Sequence, residues 1–333
     1  MVQIGEQLSD LSDRKLAWVS QLGVERIVAN TTRDTGIVND DGMWNVQLIK
    51  ELQKRLQSHG LSMDVLNLGI EAAYYQRQRF PDLWSGGPGR DAAIALIQQN
   101  IQAAGEAGVP TLKYNCNIIG ILRTGRTPGR GGVTYSHFDV NKWSDHSLTP
   151  LGEVSAEQLW QNALYVLDKL IPTAERAGVN LAVHPHDPAL PRERGLRGVH
   201  SILGSVDGMK RWVREFDSPR NGFNFCQGTV AEMCEDPARE VLEAIRYFGR
   251  DKRIFMVHFR NIKGGYLNFE EVYPDNGDVD FFKCVKAYME VGYDGVLCPD
   301  HVPQSEADPD NERQHSFCLG YTKGLIAAAR AAN

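Results

Sequence analysis

The sequence predicts an α/β protein built as a closed (β/α)8 TIM barrel, and three observations predict it. A helical apolar pattern that ends in glycine and leads straight into a β-rich stretch recurs at Gly23, Gly60, Gly108, Gly178 and Gly292. Glycine readily takes the left-handed conformation that closes a helix, so each recurrence reads as a helix-to-strand junction. Apolar or β-branched runs alternate with these helices eight times along the chain, more strands than an open doubly wound sheet requires. No G-x-G-x-x-G follows the first strand, which argues against a dinucleotide-binding sheet. The 333 residues, 42% apolar and 23% charged, are enough for one barrel domain spanning 1–333.

The strands are expected near 2–8, 26–30, 62–68, 111–116, 180–185, 222–226, 254–259 and 295–299. Helical periodicity covers 13–22, 44–58, 91–107, 155–177, 206–216, 231–248, 279–291 and 314–330. The clearest of these carries Leu159, Ala163, Val166, Leu167, Leu170, Ala174 and Ala177 on one face, the spacing of an amphipathic helix. Ser155 and Gln158 form a capping box at its start, and Pro172 is expected to kink or split it. Two stretches interrupt the rhythm. Residues 120–152, rich in Gly, Arg and Thr, follow strand 4, and residues 187–205 follow strand 5. Strand-to-helix loops of a barrel lie on its active-site face, so 120–152 is a candidate lid, with an unordered surface excursion as the alternative.

Charge and composition narrow the partners. The net charge of −6 leaves no basic field for nucleic acid or an anionic membrane, so a small-molecule partner is expected. The first residues carry neither a basic nor an apolar leader pattern, and no apolar run is long enough to span a bilayer; a cytoplasmic setting is expected. Six cysteines without a C-x-x-C pair do not make a disulfide scaffold.

Chemistry gathers where strands 5 to 8 finish: His184 in AVHPHDP, Cys226 in FNFCQG, His258 in MVHFRN and Asp300 in CPDH. Imidazole, thiolate and carboxylate are each competent metal ligands, and neighbouring strands about 4.8 Å apart let successive strand ends converge on one ion. Singly, each residue is an ordinary buried His or Cys. Four of them at equivalent ends of consecutive strands make the metal reading the stronger one.

HPHDP, NFCQG, HFRN, the GD-x-D at Gly277–Asp280, GY-x-G-x-x-x-PDH, IPTAERAGVNLAVHP, KYNCN followed by ILRT, and LGYTKGL together resemble the mannonate dehydratase family. That resemblance implies a xylose-isomerase-like barrel and a carbon–oxygen lyase (hydro-lyase) that removes water from a sugar acid such as D-mannonate to give a 2-keto-3-deoxy acid. It implies a divalent ion on His184, Cys226, His258 and Asp300, with Mn²⁺ favoured. Fe²⁺, Co²⁺ or Zn²⁺ suit the same mixed N/S/O set, whereas the thiolate disfavours Mg²⁺. His301, beside Asp300, matches the family's catalytic histidine, its alternative being to orient Asp300. Arg260 and Asn261 after His258, and Arg123 at the start of the 120–152 excursion, are candidates for binding substrate carboxylate or hydroxyl groups.

The departures are specific. Where the family commonly has HPDDPP, this chain has His184-Pro185-His186-Asp187-Pro188-Ala189. Where it has a tyrosine-rich stretch before the last helix, this chain has Asn311-Glu312-Arg313-Gln314-His315; His315 is the candidate second acid–base group, its alternative an exposed helix-start residue. A sugar isomerase or epimerase on the same barrel and a catalytically idle sugar-acid binding protein are the competing functions. Thiolate ligation favours the dehydratase over the isomerases, and a homo-oligomer stays open.

Overall fold

The computed structural model describes residues 1–29, 36–40 and 42–332. Eight parallel strands close into a barrel in sequential order: β1 Gln3–Leu8, β2 Arg26–Ala29, β3 Ser62–Asn67, β4 Thr111–Asn115, β5 Asn180–His184, β6 Asn221–Cys226, β7 Ile254–His258 and β8 Val296–Cys298. Each was expected within two residues of its bounds. The final residue of the predicted 26–30 strand, Asn30, lies outside the described residues. The five junction glycines adopt φ between +65° and +77°, the left-handed cap that their positions demanded.

Val28, Val65, Met256, Val296 and Cys298 fill the barrel interior, while a continuous apolar layer lies between the strands and the surrounding helices. Three expectations are corrected. Helix Ala156–Ala177 runs through Pro172 as one element. A proline removes the donor that would reach the Asp168 carbonyl, while one residue on, the Lys169 carbonyl accepts from Gln98 Nε2 of the packed helix at 2.9 Å and from Thr173 Oγ1 at 3.3 Å. Packing against helix Arg90–Glu106 holds the element together. Ser155 Oγ accepts from Gln158 N at 3.1 Å, but the Gln158 side chain turns to Asn162, so only half of the capping box forms. The predicted 231–248 helix begins only at Pro237 and runs to Arg250, after a separate short helix Gln227–Ala231. Pro237 disfavours helical backbone at the residue before it and suits the first helical turn.

The 120–152 excursion is ordered. Its strands Gly125–Pro128 and Thr134–Asp139 join Asn261–Gly265 and Asn268–Val272, which directly follow β7, in a four-stranded antiparallel sheet. At the turn between the first two strands, Arg130 makes a two-pronged contact with Asp275 at 2.6 and 2.9 Å. Its guanidinium also stacks 4.3 Å from the Tyr273 ring. Neither a free loop nor an unordered excursion describes this segment, because ladder hydrogen bonds satisfy its backbone.

Candidate active site

Register brings the strand-end residues together. Cys226 pairs with His258 across β6 and β7, and His258 with Cys298 across β7 and β8, two residues before Asp300. Paired residues on parallel strands face the same way, so these side chains enter the barrel mouth together. Ligand atoms of His184, Cys226, His258 and Asp300 all lie within 4.8 Å of one another. Asp300 Oδ2 is 3.5 Å from His258 Nδ1 and 3.8 Å from Cys226 Sγ. Metal–donor bonds of about 2.0–2.3 Å would space tetrahedral donors by about 3.3–3.8 Å.

Protonation suits a cation as well. Burial holds His184 below its ordinary value and His258 well below it, so both imidazoles are neutral. Burial opposes ionisation of Asp300, yet His258, His301 and Arg260 outweigh it and keep the carboxyl well below the usual carboxylate range. Burial raises the Cys226 thiol, a tendency that a bound cation reverses. Thr229 N and Oγ1 approach the sulfur at 3.4 and 3.1 Å, and Arg260 Nη2 at 3.5 Å, all suited to a thiolate. His258 Nδ1 is buried without a hydrogen-bond partner. The donor set therefore fits a divalent ion.

His184, His258 and Asp300 open onto a cavity of about 270 Å³ lined also by Gln7, Asn67, Glu71, Lys113, Asn115 and His301 among others. His301 Nδ1 meets Glu271 Oε1 at 2.6 Å, and 34% of its side chain is exposed. Burial works against its charged form, but Asp300 and Glu271 prevail and raise it to about 10. Glu271, despite burial, is held down to about 2 by His301, Arg260 and Arg123.

The three substrate-binding candidates occupy other positions than expected. Arg260 has a side-chain exposure of 0% and spans Asp187 at 3.1 Å, Glu232 at 3.0 Å, Asp300 at 3.5 Å and Glu271. A side chain at Gly228 would fall 2.5 Å from its Nε, which gives the glycine of NFCQG a packing reason. Arg123 pairs with Asp187 at 2.5 Å and with Glu271. Asn261 is 1% exposed. Its Nδ2 donates to the carbonyls of Pro274 and Val279, each at 2.9 Å, and its Oδ1 accepts from Ile262 N and Val279 N. Gly277 of the GD-x-D motif makes room for that amide. In this arrangement buried backbone groups take up the Asn261 amide, and buried carboxylates engage most of the Arg260 and Arg123 donors, the Nε of each having no hydrogen-bond partner, so the three stand as supports of the site.

His315 sits outside the cavity lining as well. The first turn of helix Glu312–Ala331 places its Nδ1 2.9 Å from Glu6 Oε1. Burial opposes its protonation, but Glu6 raises it above the ordinary value. It is neither an exposed helix-start residue nor a partner of His301. His186, the departure beside the first ligand, is buried and kept neutral by burial, with Nδ1 against the Pro188 carbonyl at 2.8 Å.

Sequence reasoning missed Lys113, Gln7 and Glu271. Lys113 left a signal: a lysine between Thr111 and Asn115 on the alternating face of an otherwise enclosed strand is costly unless it has a task. Glu271 left none, since its position depends on the four-stranded sheet.

Residues 145–331 match the D-mannonate dehydratase family model. Mannonate dehydratase of Streptococcus suis strain 05ZYH33 is 30% identical over 286 residues, covering 78% of this chain and 74% of that protein. That of Thermotoga petrophila is 29% identical over 295 residues, covering 78% of each. The crystal structure of mannonate dehydratase from Streptococcus suis serotype 2 superposes with a TM-score of 0.83 at 27% identity, covering 99% of this chain and 94% of that one. A xylose isomerase domain protein from Planctomyces limnophilus, at TM-score 0.61 and 13% identity with 99% and 98% coverage, shares the fold alone. Family model, relatives and barrel agree: the chain belongs to the mannonate dehydratase family of hydro-lyases.

Proposed function

We propose that the chain dehydrates an open-chain sugar acid of the D-mannonate type, using a divalent cation held by His184, Cys226, His258 and Asp300. The observation that carries this reading is the convergence of two imidazoles, a thiol and a carboxylate, three of the four lining one cavity with His301. Mn²⁺ is the favoured ion, with Fe²⁺, Co²⁺ and Zn²⁺ compatible with the same donors. A divalent ion held there would supply Lewis acidity to the bound sugar acid, the chemistry that makes its C2 proton removable.

The chain's residues do the rest. Glu271 holds His301 Nδ1, leaving Nε2 to take the C2 proton. Asp300 is one of the two carboxylates that raise His301; were Asp300 to share its charge with a cation, the imidazolium would be weaker and the ring better suited to act as a base. Arg260 and Arg123 fix Glu271 from behind. The C2–H and C3–O bonds break, the proton and hydroxyl leave as water, and the resulting enol becomes the 2-keto-3-deoxy acid. The sheet containing 125–139 covers one side of the mouth, with Glu271 projecting from it onto His301. The reaction belongs in the cytoplasm, where six free cysteines stay reduced.

The test is a panel of hexonates, D-mannonate first, assayed for 2-keto-3-deoxy acid after metal removal and after restoring Mn²⁺. Turnover only with the ion is expected. Metal uptake without turnover of any hexonate would leave a sugar-acid binding protein instead.

A further inference from the structure

Gln7 Oε1 is approached by two groups: the Lys113 ammonium, from β4, and His258 Nε2, from β7, at 3.1 Å. Lysine has donors and no acceptor, so the glutamine must present its oxygen there and not its NH₂. That oxygen carries no hydrogen. The contact with His258 therefore requires the hydrogen to sit on Nε2. Nδ1, buried with no hydrogen-bond partner to receive a second hydrogen, is then the bare nitrogen.

The far side of the ring agrees. Nδ1 is buried, has no hydrogen-bond partner and lies 3.5 Å from Asp300 Oδ2. Two lone-pair-bearing atoms that close repel unless something positive sits between them. Asn224 Nδ2 is 3.4 Å from the same Nε2, while Asn224 Oδ1 has no partner. Turning that amide end for end gives the orphaned oxygen the Nε2 hydrogen and leaves the side chain's shape unchanged.

His184 is set the opposite way. Its Nδ1 lies 2.6 Å from the Pro185 carbonyl, an acceptor only, so Nδ1 carries the hydrogen and Nε2 is bare. We propose that Lys113 and Gln7 are positioning residues that fix the tautomer of His258, so that the two histidines of the cluster offer opposite nitrogens, Nδ1 from His258 and Nε2 from His184. As a device for holding a cation this rests on the metal reading above; as a statement about the tautomer it does not. The relay joins β1, β4 and β7 across the barrel, and barrel closure is what makes it.

Long-range ¹H–¹⁵N spectra of the metal-free protein labelled with ¹⁵N-histidine test it. The expected result is a hydrogen on Nε2 of His258 and on Nδ1 of His184, with Gln7→Leu and Lys113→Met each turning His258 into a mixture. Titration with Mn²⁺ should show the dissociation constant rising about 10–100-fold in Gln7→Leu, the usual effect of removing a partner behind a metal-binding histidine. Gln7→Glu, which keeps an acceptor oxygen, should restore both the tautomer and most of the affinity. Lys113→Met also removes a positive charge below the cluster, so only its tautomer is diagnostic. A hydrogen on Nδ1 of His258 in the unmodified protein would overturn the proposal. So would a Gln7→Leu protein with unchanged tautomer and affinity. If Gln7→Leu fails to fold, the unmodified protein's spectrum decides alone. The expected tautomers in a protein that takes up no Mn²⁺ would sink the metal reading and leave the relay standing.

Discussion

Replacing Arg260 with methionine separates the two roles open to that arginine. In the structure its guanidinium serves Asp187, Glu232 and Glu271 with no solvent exposure of the side chain. Burial raises Glu232 well above its ordinary value, so it is a neutral acid, while Asp187 and Glu271 are held ionised. After Arg260→Met, Arg123 is the guanidinium left facing those two carboxylates. Breaking a buried ion pair from one side costs about 3–5 kcal/mol. With an unfolding entropy of about 2.1 cal/mol/K per residue, a barrel of this size should lose about 4–7 °C in Tm.

The loss should also depend on pH. Glu271, at about 2 in the native state, contributes stability that is complete above its unfolded value near 4.5 and disappears as pH falls toward 2. Without Arg260 its native value rises and that contribution shrinks, so the gap between the two proteins is at full width from pH 5 upward and narrows as pH falls from about 4.5 toward 2. Urea unfolding of the metal-free proteins followed by circular dichroism reads both effects. Arg260→Lys, which keeps a charge, should recover part of the loss. An Arg260→Met protein with unchanged stability and only a raised KM would refute the reasoning and return Arg260 to the substrate.

Cys226→Ser should bind Mn²⁺ more weakly and retain less metal on purification, and equal content in both proteins would remove the thiolate from the donor set. His301→Asn should lower kcat by about 10²-fold or more with metal content unchanged; loss of both together would make it a structural residue. Asn261→Ala should cost about 1–3 kcal/mol of stability by orphaning buried backbone groups and leave KM unchanged, whereas a raised KM at full stability would restore it as a substrate contact. Shortening 126–132 removes the Arg130–Asp275 contact and should raise KM by loosening the sheet that presents Glu271; unchanged kcat and KM would show that this turn has no part in the site.

Local rules determined much of this protein. Period-2 and period-3.6 patterns and the helix-closing glycines placed eight strands and their order, since both signals come from backbone geometry within a few residues. Because barrel strands deliver their last side chains to one rim, His184, Cys226, His258 and Asp300 were legible as a set before any contact was known. What sequence could not supply was the fate of groups whose partners lie far along the chain. Arg260 beside a ligand read as a substrate hook, yet Asp187 and Glu232 enclose it. Arg123 and His315 were likewise claimed by Asp187 and Glu6. Pro172 failed to split its helix because tertiary packing outweighed the lost hydrogen bond. A charge's role is set by which opposite charge reaches it first in three dimensions, and only the closed barrel with its added sheet decided that.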